Sequence, residues 1–551
     1  MLKPLRVVFG VVLVVLLVGP AFAQTVDTAW VRRYDGSAST DDDARAIAVD
    51  DSGNIYVTGF LWNAATSQDY GTIKYLPNGD TAWLRTYTVG TSQDQAYAIA
   101  VDDSGNVYVT GMSYGSGTDF DYATVKYLSN GDTAWARRYD GPANDDDQAH
   151  AIAVDGSGNV CVTGRSTGCC GYWDFLTIKY DEDGGTAWVE RYDGPGNEHD
   201  YAFAVGVNGS GDVYVAGGVA GLGTGRDCVT IKYCPEGGTW RTYDAANSVD
   251  YGRAMAIDGS GNVYVTGESD SGTPTGIDFF TIKYLPNGDT AWVRRYDRPA
   301  VLEGGQAIAV DDAGNVYVTG LSEGSGTDHD FATIKYFANG DTAWVRFYNG
   351  PADGKDQAYH IAVDNSGNVY VTGNSAGSGG DWDYATVKYL ANGDSAWAMR
   401  YNGPGNADDL PNGIAVDDSG NVYVTGRSDG DGSGWDYCTI KYVQTPSGVK
   451  DETGSREKPS EFDLSQNYPN PFNPFTKIEF TLPKSGFVTL QIYDTLGRKV
   501  RTLVSEELSS GYKSVIWDGK NDQGEAVASG VYFYQLKVGD FSEPKKMLLL
   551  K

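Results

Sequence analysis

The chain has 551 residues and is strongly acidic, with 42 Lys and Arg against 73 Asp and Glu and a formal net charge of −31 at pH 7. Such a charge excludes the nucleic-acid backbone as a partner and favours a soluble surface. The 72 glycines and 38 tyrosines favour many short strands joined by tight turns over a helical protein.

The N-terminus has the pattern of a secretory signal peptide. Lys3 and Arg6 precede an apolar run over residues 7–18, which ends near Ala-Phe-Ala at 21–23. The run is too short to span a bilayer, and it leads to a cleavage site of small residues. We therefore predict a signal peptide over residues 1–23, export of the chain, and no transmembrane span once the peptide is removed.

A motif of the form Asp-x-Ser-Gly-Asn-Val-Tyr-Val-Thr-Gly recurs along most of the chain. Self-similarity at a fixed period of about fifty residues is typical of repeat architectures. The glycine of its Ser-Gly-Asn core or of the equivalent triplet lies at Gly53, Gly105, Gly158, Gly211, Gly261, Gly314, Gly367 and Gly420.

Each repeat contains four runs rich in Val, Tyr, Thr and Trp, bounded by Gly, Asn and Asp. In the second repeat these runs are residues 98–101, 107–110, 122–127 and 134–139. The first link, Asp-Asp-Ser-Gly-Asn, predicts a hairpin in which Asp caps the turn and Gly has a positive φ. Four antiparallel strands repeated radially predict an all-β fold, an eight-bladed β-propeller over residues 24–443. A parallel solenoid fits the hairpin turns much less well.

The order of the strands predicts how the ring closes. The chain enters on a fourth strand, residues 28–34, and leaves on a third strand, residues 436–442. We expect the N-terminal strand to complete the last blade, which would remove two exposed sheet edges. Seven blades with one stray repeat is the alternative.

The repeats resemble the bacterial β-propeller repeat family and, more distantly, the NHL repeats. The resemblance covers roughly residues 25–443 and is specific for the fold. It implies an exported protein and says very little about activity.

The pattern stops near Val443, and residues 444–461 have the composition of a flexible linker. Six alternating runs then predict a small Ig-like β-sandwich over residues 462–551. This segment resembles the type A C-terminal sorting domain of the type IX secretion system, through its motifs at 468–474, 492–498, 517–519, 529–534 and 545–551. The resemblance implies the type IX machinery as a partner and a secreted or outer-membrane surface location. An Ig-like accessory module without a sorting role is the alternative.

Two residue types recur in every repeat and are interpreted as scaffold, because a residue that a ligand needs once has no reason to occur eight times. The tryptophan of each fourth strand is expected to pack between blades. An aspartate that precedes each third strand is expected to cap a turn or pair with lysine. These aspartates are Asp69, Asp121, Asp174, Asp227, Asp278, Asp330, Asp383 and Asp436.

The two longer links of each repeat emerge at one face, which is the expected ligand face. Aromatic residues beside carboxylates there suit a glycan or a basic protein partner. Solvated acids and aromatics packed on neighbouring loops are the alternative. The candidate ligand-binding residues are Trp62, Phe120, Trp173, Trp382, Trp435, Asp42, Asp146, Asp200 and Asp409.

The sequence offers no asymmetric catalytic constellation and no metal motif. Fragments at residues 181–184 and 429–434 resemble calcium loops but lack a bidentate Glu at the twelfth place, so no cofactor is predicted and calcium remains an option. A pair of suitably spaced carboxylates for glycan hydrolysis stays open. We therefore expect a recognition or adhesion module, with a secreted carbohydrate-active enzyme and a structural cell-envelope component as alternatives.

Overall fold

The computed structural model describes residues 25–550 except 38–39, 116, 118, 224, 235–238, 244–248, 271–275, 299–302, 324–327, 378, 431, 446–461, 468–469, 471–475, 509, 518, 523–526 and 540. Every regular element in these ranges is a β-strand. No helix in the described ranges has the length and apolar character needed to cross a bilayer. The predicted signal peptide and most of the predicted linker lie outside the described residues. Contacts divide the described chain into two compact units, one that contains Thr28–Val443 and one that contains residues 25–27 and Gln444–Lys551.

The first unit contains eight four-stranded antiparallel sheets, the number of blades that the repeats predict. Blades one to four are β2 (Asp43–Val49), β3 (Ile55–Asn63), β4 (Ser67–Tyr75) and β5 (Thr81–Tyr87); β6 (Asp94–Val101), β7 (Val107–Gly115), β8 (Asp119–Tyr127) and β9 (Thr133–Tyr139); β10 (Asp147–Val154), β11 (Val160–Thr167), β12 (Trp173–Tyr180) and β13 (Thr186–Tyr192); and β14 (Tyr201–Val207), β15 (Val213–Ala220), β16 (Arg226–Tyr233) and β17 (Thr239–Tyr243).

Blades five to seven repeat the arrangement. They are β18 (Asp250–Ile257), β19 (Val263–Asp270), β20 (Ile277–Tyr284) and β21 (Thr290–Tyr296); β22 (Glu303–Val310), β23 (Val316–Glu323), β24 (His329–Tyr336) and β25 (Thr342–Tyr348); and β26 (Asp356–Val363), β27 (Val369–Ala376), β28 (Trp382–Tyr389) and β29 (Ser395–Tyr401).

The eighth sheet takes its outer strand from the start of the chain. Its strands are β30 (Asp409–Val416), β31 (Val422–Gly430), β32 (Gly434–Thr445) and β1 (Thr25–Tyr34), in the order β1-β32-β31-β30. Arg33, on β1, forms an ion pair of 2.7 Å with Asp436 on β32. In every other blade the fourth strand follows the third directly in sequence.

The two hairpins of each blade lie at one end, which we call the turn end; the opposite end, where the two longer links emerge, is the link end. In the second blade Asp102 Oδ1 accepts hydrogen bonds from the amides of Ser104 and Asn106, both at 2.9 Å. Gly105 has a φ of 74°. The predicted turn, capped by Asp and closed by a left-handed Gly, is confirmed.

The first strand of each blade is the innermost. First strands of neighbouring blades contact one another from β2 through β6, β10, β14, β18, β22 and β26 to β30, and β30 contacts β2. Each first strand carries a β-bulge near the link end, where one residue is left out of the pairing with the second strand. A bulge redirects the side chain of the extra residue.

Neighbouring blades are joined through the tryptophans of the fourth strands. Trp292, which is 8% exposed, packs against Tyr264 of its own blade and Tyr336 of the next. Its Nε1 donates a hydrogen bond of 3.2 Å to the carbonyl of Ala338 in the next blade. Trp30 makes the equivalent contacts with Tyr423, Tyr75 and the carbonyl of Pro77. This is the interblade role that the sequence predicts; the side chain of Trp240 lies outside the described residues.

The second unit is a β-sandwich of two antiparallel sheets, as predicted. One core cluster that includes Trp517, Ile492 and Tyr534 fills the space between the sheets. Its strands are β33 (Asp463–Leu464), β34 (Thr476–Leu482), β35 (Gly486–Asp494), β36 (Lys499–Leu508), β37 (Gly511–Trp517), β38 (Gly530–Val538) and β39 (Phe541–Leu549).

Candidate functional site at the link end of the propeller

The repeated aspartate of the third strand is buried, and in blades two, three, five, seven and eight it pairs with arginine rather than lysine. Arg400 Nη2 lies 2.6 Å from Asp383 Oδ2, and equivalent pairs join Arg138 to Asp121, Arg191 to Asp174, Arg295 to Asp278 and Arg33 to Asp436. The expectation of a lysine partner is wrong, because the repeated lysine reaches the next blade instead. Lys74 Nζ, for example, donates to the carbonyl of Ser129 at 3.2 Å. The partner is therefore supplied by the fourth strand of the same blade.

The first blade shows that this arginine is not obligatory. Thr86 occupies the position that Arg138 has in the second blade. Asp69 accepts hydrogen bonds from Thr66 Oγ1 at 2.7 Å and Asn63 Nδ2 at 3.2 Å instead. Hydrogen bonds from neutral groups thus replace the ion pair in that blade.

Three of the four candidate ligand carboxylates are buried, so the expectation that they face a ligand directly is wrong for Asp42, Asp200 and Asp409. They belong to a second repeated acid, seven residues before the end of each first strand, which sequence analysis missed. The fixed distance to the closing Val or Ile would have revealed it. Its members are Asp42, Asp94, Asp147, Asp200, Asp250, Glu303, Asp356 and Asp409.

This second acid ties the incoming link to the blade. Asp200 Oδ2 accepts from the amide of Gly194 at 2.6 Å, and its Oδ1 accepts from the amide of Ala220 at 2.8 Å. Asp42 receives the same two bonds from the amides of Gly36 and Trp62. Each carboxylate thus fixes the link and the end of the second strand together, which is a scaffold role.

Burial raises the pKa of these acids, and the backbone hydrogen bonds only partly oppose it. The pKa reaches about 6 for Asp42, Asp147 and Asp200 and about 7 for Glu303. It is also raised for Asp94, Asp356 and Asp409. The link end therefore holds a set of acids that retain protons well above pH 4.

Three of the candidate aromatic residues have the same environment at the start of a third strand. The amides of Trp173, Trp382 and Trp435 donate to His199 Nδ1, Asp408 Oδ1 and Asp41 Oδ1, at 3.2, 3.0 and 3.3 Å. All three tryptophans are partly buried. Trp435 lines a shallow depression with Asp41 and Asp408, so the structure brings aromatic and acidic residues together there.

The remaining candidates are spread over the first three blades. Trp62 and Phe120 are partly buried, and the Phe120 ring contacts Tyr114 with ring centres 5.5 Å apart. Asp146 is partly buried, and burial raises its pKa. The candidates thus share the link end but do not form one site, and their ligand-binding role stays a prediction.

The bulge of each first strand carries a set of residues that sequence analysis missed. These residues occupy the same position in every blade, four residues before the end of the first strand, but the type of side chain varies from blade to blade. All eight side chains are partly buried. We call these residues the bulge ring: Arg45, Tyr97, His150, Phe203, Arg253, Gln306, Tyr359 and Asn412.

Neighbours in the bulge ring contact one another or share a partner. The Arg45 guanidinium lies 4.7 Å from the centre of the Tyr97 ring, and the Tyr97 and His150 ring centres are 5.6 Å apart. Arg253 lies 5.0 Å from the centre of the Phe203 ring. Asp43, one blade on from Asn412, accepts from Asn412 Nδ2 at 2.8 Å and from Arg45 Nε at 3.2 Å.

The charge of this inner region differs from the acidic surface that the sequence predicts. Five arginines lie at the link end, each on the first, second or third strand of its own blade: Arg45, Arg165, Arg226, Arg253 and Arg427. Burial, with a smaller contribution from Arg165 and Arg45, lowers the pKa of His150 to about 4, so this ring residue is neutral at pH 7. The arrangement offers cations, amides and aromatic faces, which suit binding of a polar ligand.

The described acids also form clusters that could surround a cation: Asp119, Asp145 and Asp146; Asp121, Asp140 and Asp147; and Asp174, Asp193 and Asp200. Neither predicted calcium-loop fragment contributes a residue to them. In the fragment at 181–184, Asp181 Oδ1 accepts from the amide of Gly185 at 2.6 Å, as in an ordinary turn. Asp431 of the other fragment lies outside the described residues. Calcium binding stays a prediction.

Comparison with known protein families agrees with both units. The model described as "Beta-propeller repeat" matches residues 30–59, 83–120, 239–272, 344–381 and 399–432. The chain carries β-propeller repeats. The model described as "FlgD Ig-like domain" matches residues 475–540, within the C-terminal sandwich. No curated protein matches this chain.

Several solved structures are similar to the chain at low identity. PorZ of Porphyromonas gingivalis, described as an essential bacterial surface component of the type IX secretion system, is 16% identical, with 92% of this chain and 74% of that chain covered and a TM-score of 0.32. The WD40 domain of SCAP from fission yeast is 9% identical, with coverages of 76% and 98% and a TM-score of 0.40. The β-propeller domain of the Trilobed protease from Pyrococcus furiosus is 8% identical, with coverages of 65% and 98% and a TM-score of 0.35. These values are too low to transfer a functional property to this chain.

Proposed function

We propose that this protein is an exported recognition or adhesion module that binds a glycan or a protein at the link end of its propeller. The observation that carries the proposal is the bulge ring, in which one scaffold position holds eight side chains of mixed chemistry. Residues that hold the blades together recur in nearly every repeat, whereas the residues of this ring do not. Variation on a repeated scaffold is what a binding surface requires.

The chemistry of the ring favours binding over catalysis. His150 is neutral at pH 7 because burial lowers its pKa to about 4. Two carboxylates near the ring are engaged by arginine, Asp43 by Arg45 at 3.2 Å and Glu268 by Arg253 at 3.0 Å. Acids held in this way are poor general bases, so the proposal is of a non-enzymatic protein.

The proposal includes a closed ring of eight blades in which the N-terminal strand completes the last sheet. The position of β1 beside β32 and the contact between β30 and β2 support closure. Tyr437 of the last blade also donates to the carbonyl of Gly71 in the first blade at 3.0 Å. A closed ring would hold the bulge residues at fixed mutual positions, and β1 would cover the edge that β32 otherwise exposes in the last blade.

We further propose that residues 1–23 direct export and that residues 462–551 act as a sorting domain for the type IX secretion machinery. The motifs of the C-terminal segment support this role, and the sandwich is a suitable carrier for them. The expected location is the outer-membrane surface or the medium. Deletion of residues 462–551 should retain the protein in the periplasm, and unchanged export after the deletion would refute the sorting role.

Binding is tested with the mature chain, residues 24–551, on panels of polysaccharides and peptides, with retention and turnover scored separately. The triple variant Tyr97→Ala, Phe203→Ala, Tyr359→Ala should lose retention of the ligand. Phe337→Ala, which removes a 50% exposed side chain at the turn end, is the matched control and should retain it. Turnover abolished by replacing one link-end carboxylate would instead support a carbohydrate-active enzyme.

A further inference from the structure

We propose that blades three to five form a subsite for a carboxylate-bearing sugar of an acidic polysaccharide. The inference rests on the proposed function and specifies its ligand. The subsite consists of three arginines and four aromatic residues at the link end, which we call the arc: Arg165, Trp173, Tyr201, Phe203, Arg226, Tyr251 and Arg253.

Arg226 lies at the centre of the arc between two aromatic rings. Its guanidinium is 4.9 Å from the centre of the Tyr201 ring and 5.9 Å from that of Tyr251. Its Nη1 donates to the backbone carbonyl of His199. These contacts fix the plane of the guanidinium, and among the described residues they leave most of its donor groups for a ligand.

The other two arginines flank this centre on aromatic faces. Arg165 lies 3.8 Å from the centre of the Trp173 ring, and its Nη2 donates to Gln148 Oε1 at 2.8 Å. Arg253 lies 4.6 Å from the centre of the Tyr251 ring. Within the described part of the chain, the buried Nε atoms of both arginines have no hydrogen-bond partner.

The repeat itself shows that these arginines are not part of the scaffold. The position of Arg226, at the start of the third strand, holds other side chains in the other blades. The position of Arg165, on the second strand, also holds other side chains in the other blades, except that blade eight has Arg427 there. The equivalents of Arg226 are Gln68, Phe120, Trp173, Ile277, His329, Trp382 and Trp435, and those of Arg165 are Phe60, Met112, Gly218, Glu268, Leu321, Asn374 and Arg427.

The charge balance of the arc is opposite to that of the chain. Glu268 pairs with Arg253 at 3.0 Å, whereas neither Arg165 nor Arg226 has a carboxylate oxygen within 4.0 Å among the described residues. Asp146 lies near enough for Arg165 to oppose the rise of its pKa, but it forms no such pair. Distant surface acids are screened over about 8 Å at physiological ionic strength. The arc is therefore a local cationic site on an acidic protein.

The geometry selects the class of ligand. A guanidinium presents a planar fork that binds a carboxylate through two parallel hydrogen bonds. Aromatic faces bind the apolar face of a sugar ring, and the Tyr201 and Phe203 rings are nearly parallel, 4° apart in plane and 6.0 Å between centres. Alternating cations and flat apolar faces match a chain of uronic acid units. An acidic peptide would use the cations but not the aromatic faces.

The test compares polygalacturonate with its methyl-esterified form, in which the same backbone carries no charge. The mature chain, residues 24–551, should bind the acid polymer about tenfold more tightly than the ester. Arg226→Gln should reduce that affinity about tenfold, and Arg226→Lys should restore only part of it. Phe337→Ala, at an exposed position of the turn end, is the control and should leave the affinity unchanged. Circular dichroism checks that each variant is folded.

The outcomes separate this inference from the proposed function. Equal affinity for acid and ester, or no binding to polygalacturonate, overturns the inference. Retention of a neutral glycan that the triple bulge-ring variant abolishes keeps the proposed function. If polyglutamate binds as tightly as polygalacturonate and Tyr201→Ala does not weaken that binding, the inference of a sugar ligand is overturned in favour of an acidic peptide. If no ligand on any panel is retained, both proposals fail.

Discussion

In the first blade, the two ends of the first strand, β2, carry acids whose pKa values are shifted in opposite directions. At the turn end, burial acts to raise the pKa of Asp50, but hydrogen bonds from Asn54, Tyr56 and the amide of Ser52 outweigh it and the pKa is lowered. At the link end of the same strand, burial dominates and raises the pKa of Asp42 to about 6. The difference lies in the number of hydrogen-bond donors among the described residues: four reach the Asp50 carboxylate, from Ser52, Asn54 and Tyr56, whereas two backbone amides reach Asp42.

The same two ends differ in how strictly they repeat. The turn end has nearly the same hairpins in every blade, with the Asp cap, the left-handed Gly and the interblade Trp. The link end repeats only its buried acids and places unlike side chains around them. Stability should therefore be concentrated at the turn end and specificity at the link end, a division that can be tested by substitution at matched positions.

Loss of a turn-end tryptophan should have the largest effect. Trp292→Ala removes a side chain that packs between two tyrosines of neighbouring blades and should lower the free energy of unfolding by about 3–5 kcal/mol. Trp173→Ala at the link end, where the side chain is partly buried, should cost about 1 kcal/mol. Urea denaturation followed by tryptophan fluorescence measures both. Equal losses would contradict the division between the two ends.

Removal of a buried charge should have an intermediate effect. Asp383→Asn leaves Arg400, whose side chain is 22% exposed, without its ion pair and should cost about 2 kcal/mol. Asp69→Asn is the matched control, because neutral groups replace the arginine in that blade, and it should cost about 1 kcal/mol. A double substitution with Arg400→Gln measures the coupling directly. If Asp69→Asn proves the more costly change, the arginine does not stabilise the blade.

The repeated part of the fold could be predicted from the sequence because residues that recur in every repeat can be recognised as structural. Eight copies of the turn motif fix the strand boundaries, the hairpins and the tryptophan packing. Asp102 and Gly105 have the predicted roles. The predicted lysine partner of the third-strand aspartate was wrong. Lysine and arginine lie on different strands of the blade, and the pairing register of those strands and the position of the neighbouring blade decide which side chain contacts the aspartate.

The candidate site was harder to predict because burial cannot be read from one copy. Asp42, Asp200 and Asp409 stand in acidic runs that resemble a solvated surface, yet the backbone turns them inward. Alignment of the eight repeats on the closing Val would have identified them as scaffold. The same alignment marks Phe203 and its equivalents as variable, but only the structure shows that a bulge brings them together around the axis.

The opposite pKa shifts predict an optimum of stability in mild acid. A carboxylate whose pKa is raised in the folded state contributes stability that is complete below its unfolded pKa, near 4, and is lost as the pH rises through its folded pKa. For Asp42, Asp147, Asp200 and Glu303 that loss falls between about pH 4 and pH 7. The lowered pKa of turn-end acids such as Asp102 removes stability only below about pH 4.

The thermal midpoint of the propeller should therefore rise from pH 8 to about pH 5 and fall below about pH 4. Glu303→Gln should flatten the upper limb, because the amide is neutral at every pH. This variant separates the effect from the general relief of charge repulsion on acidification. Asp102→Asn should change only the acid limb. A midpoint that falls steadily from pH 8 to pH 5 would contradict the raised pKa values.

Exchange within the bulge ring should have the smallest effect on folding. Phe203→Asn gives blade four the residue that blade eight carries at Asn412, so the scaffold already accepts it. The free energy of unfolding should change by about 1 kcal/mol or less, because the Phe203 ring is partly buried and stacks on Tyr201. Ligand retention should nevertheless fall, since an aromatic face is lost. If the variant unfolds, the bulge residues are needed for packing. That result would contradict the proposal that the bulge ring is a binding surface.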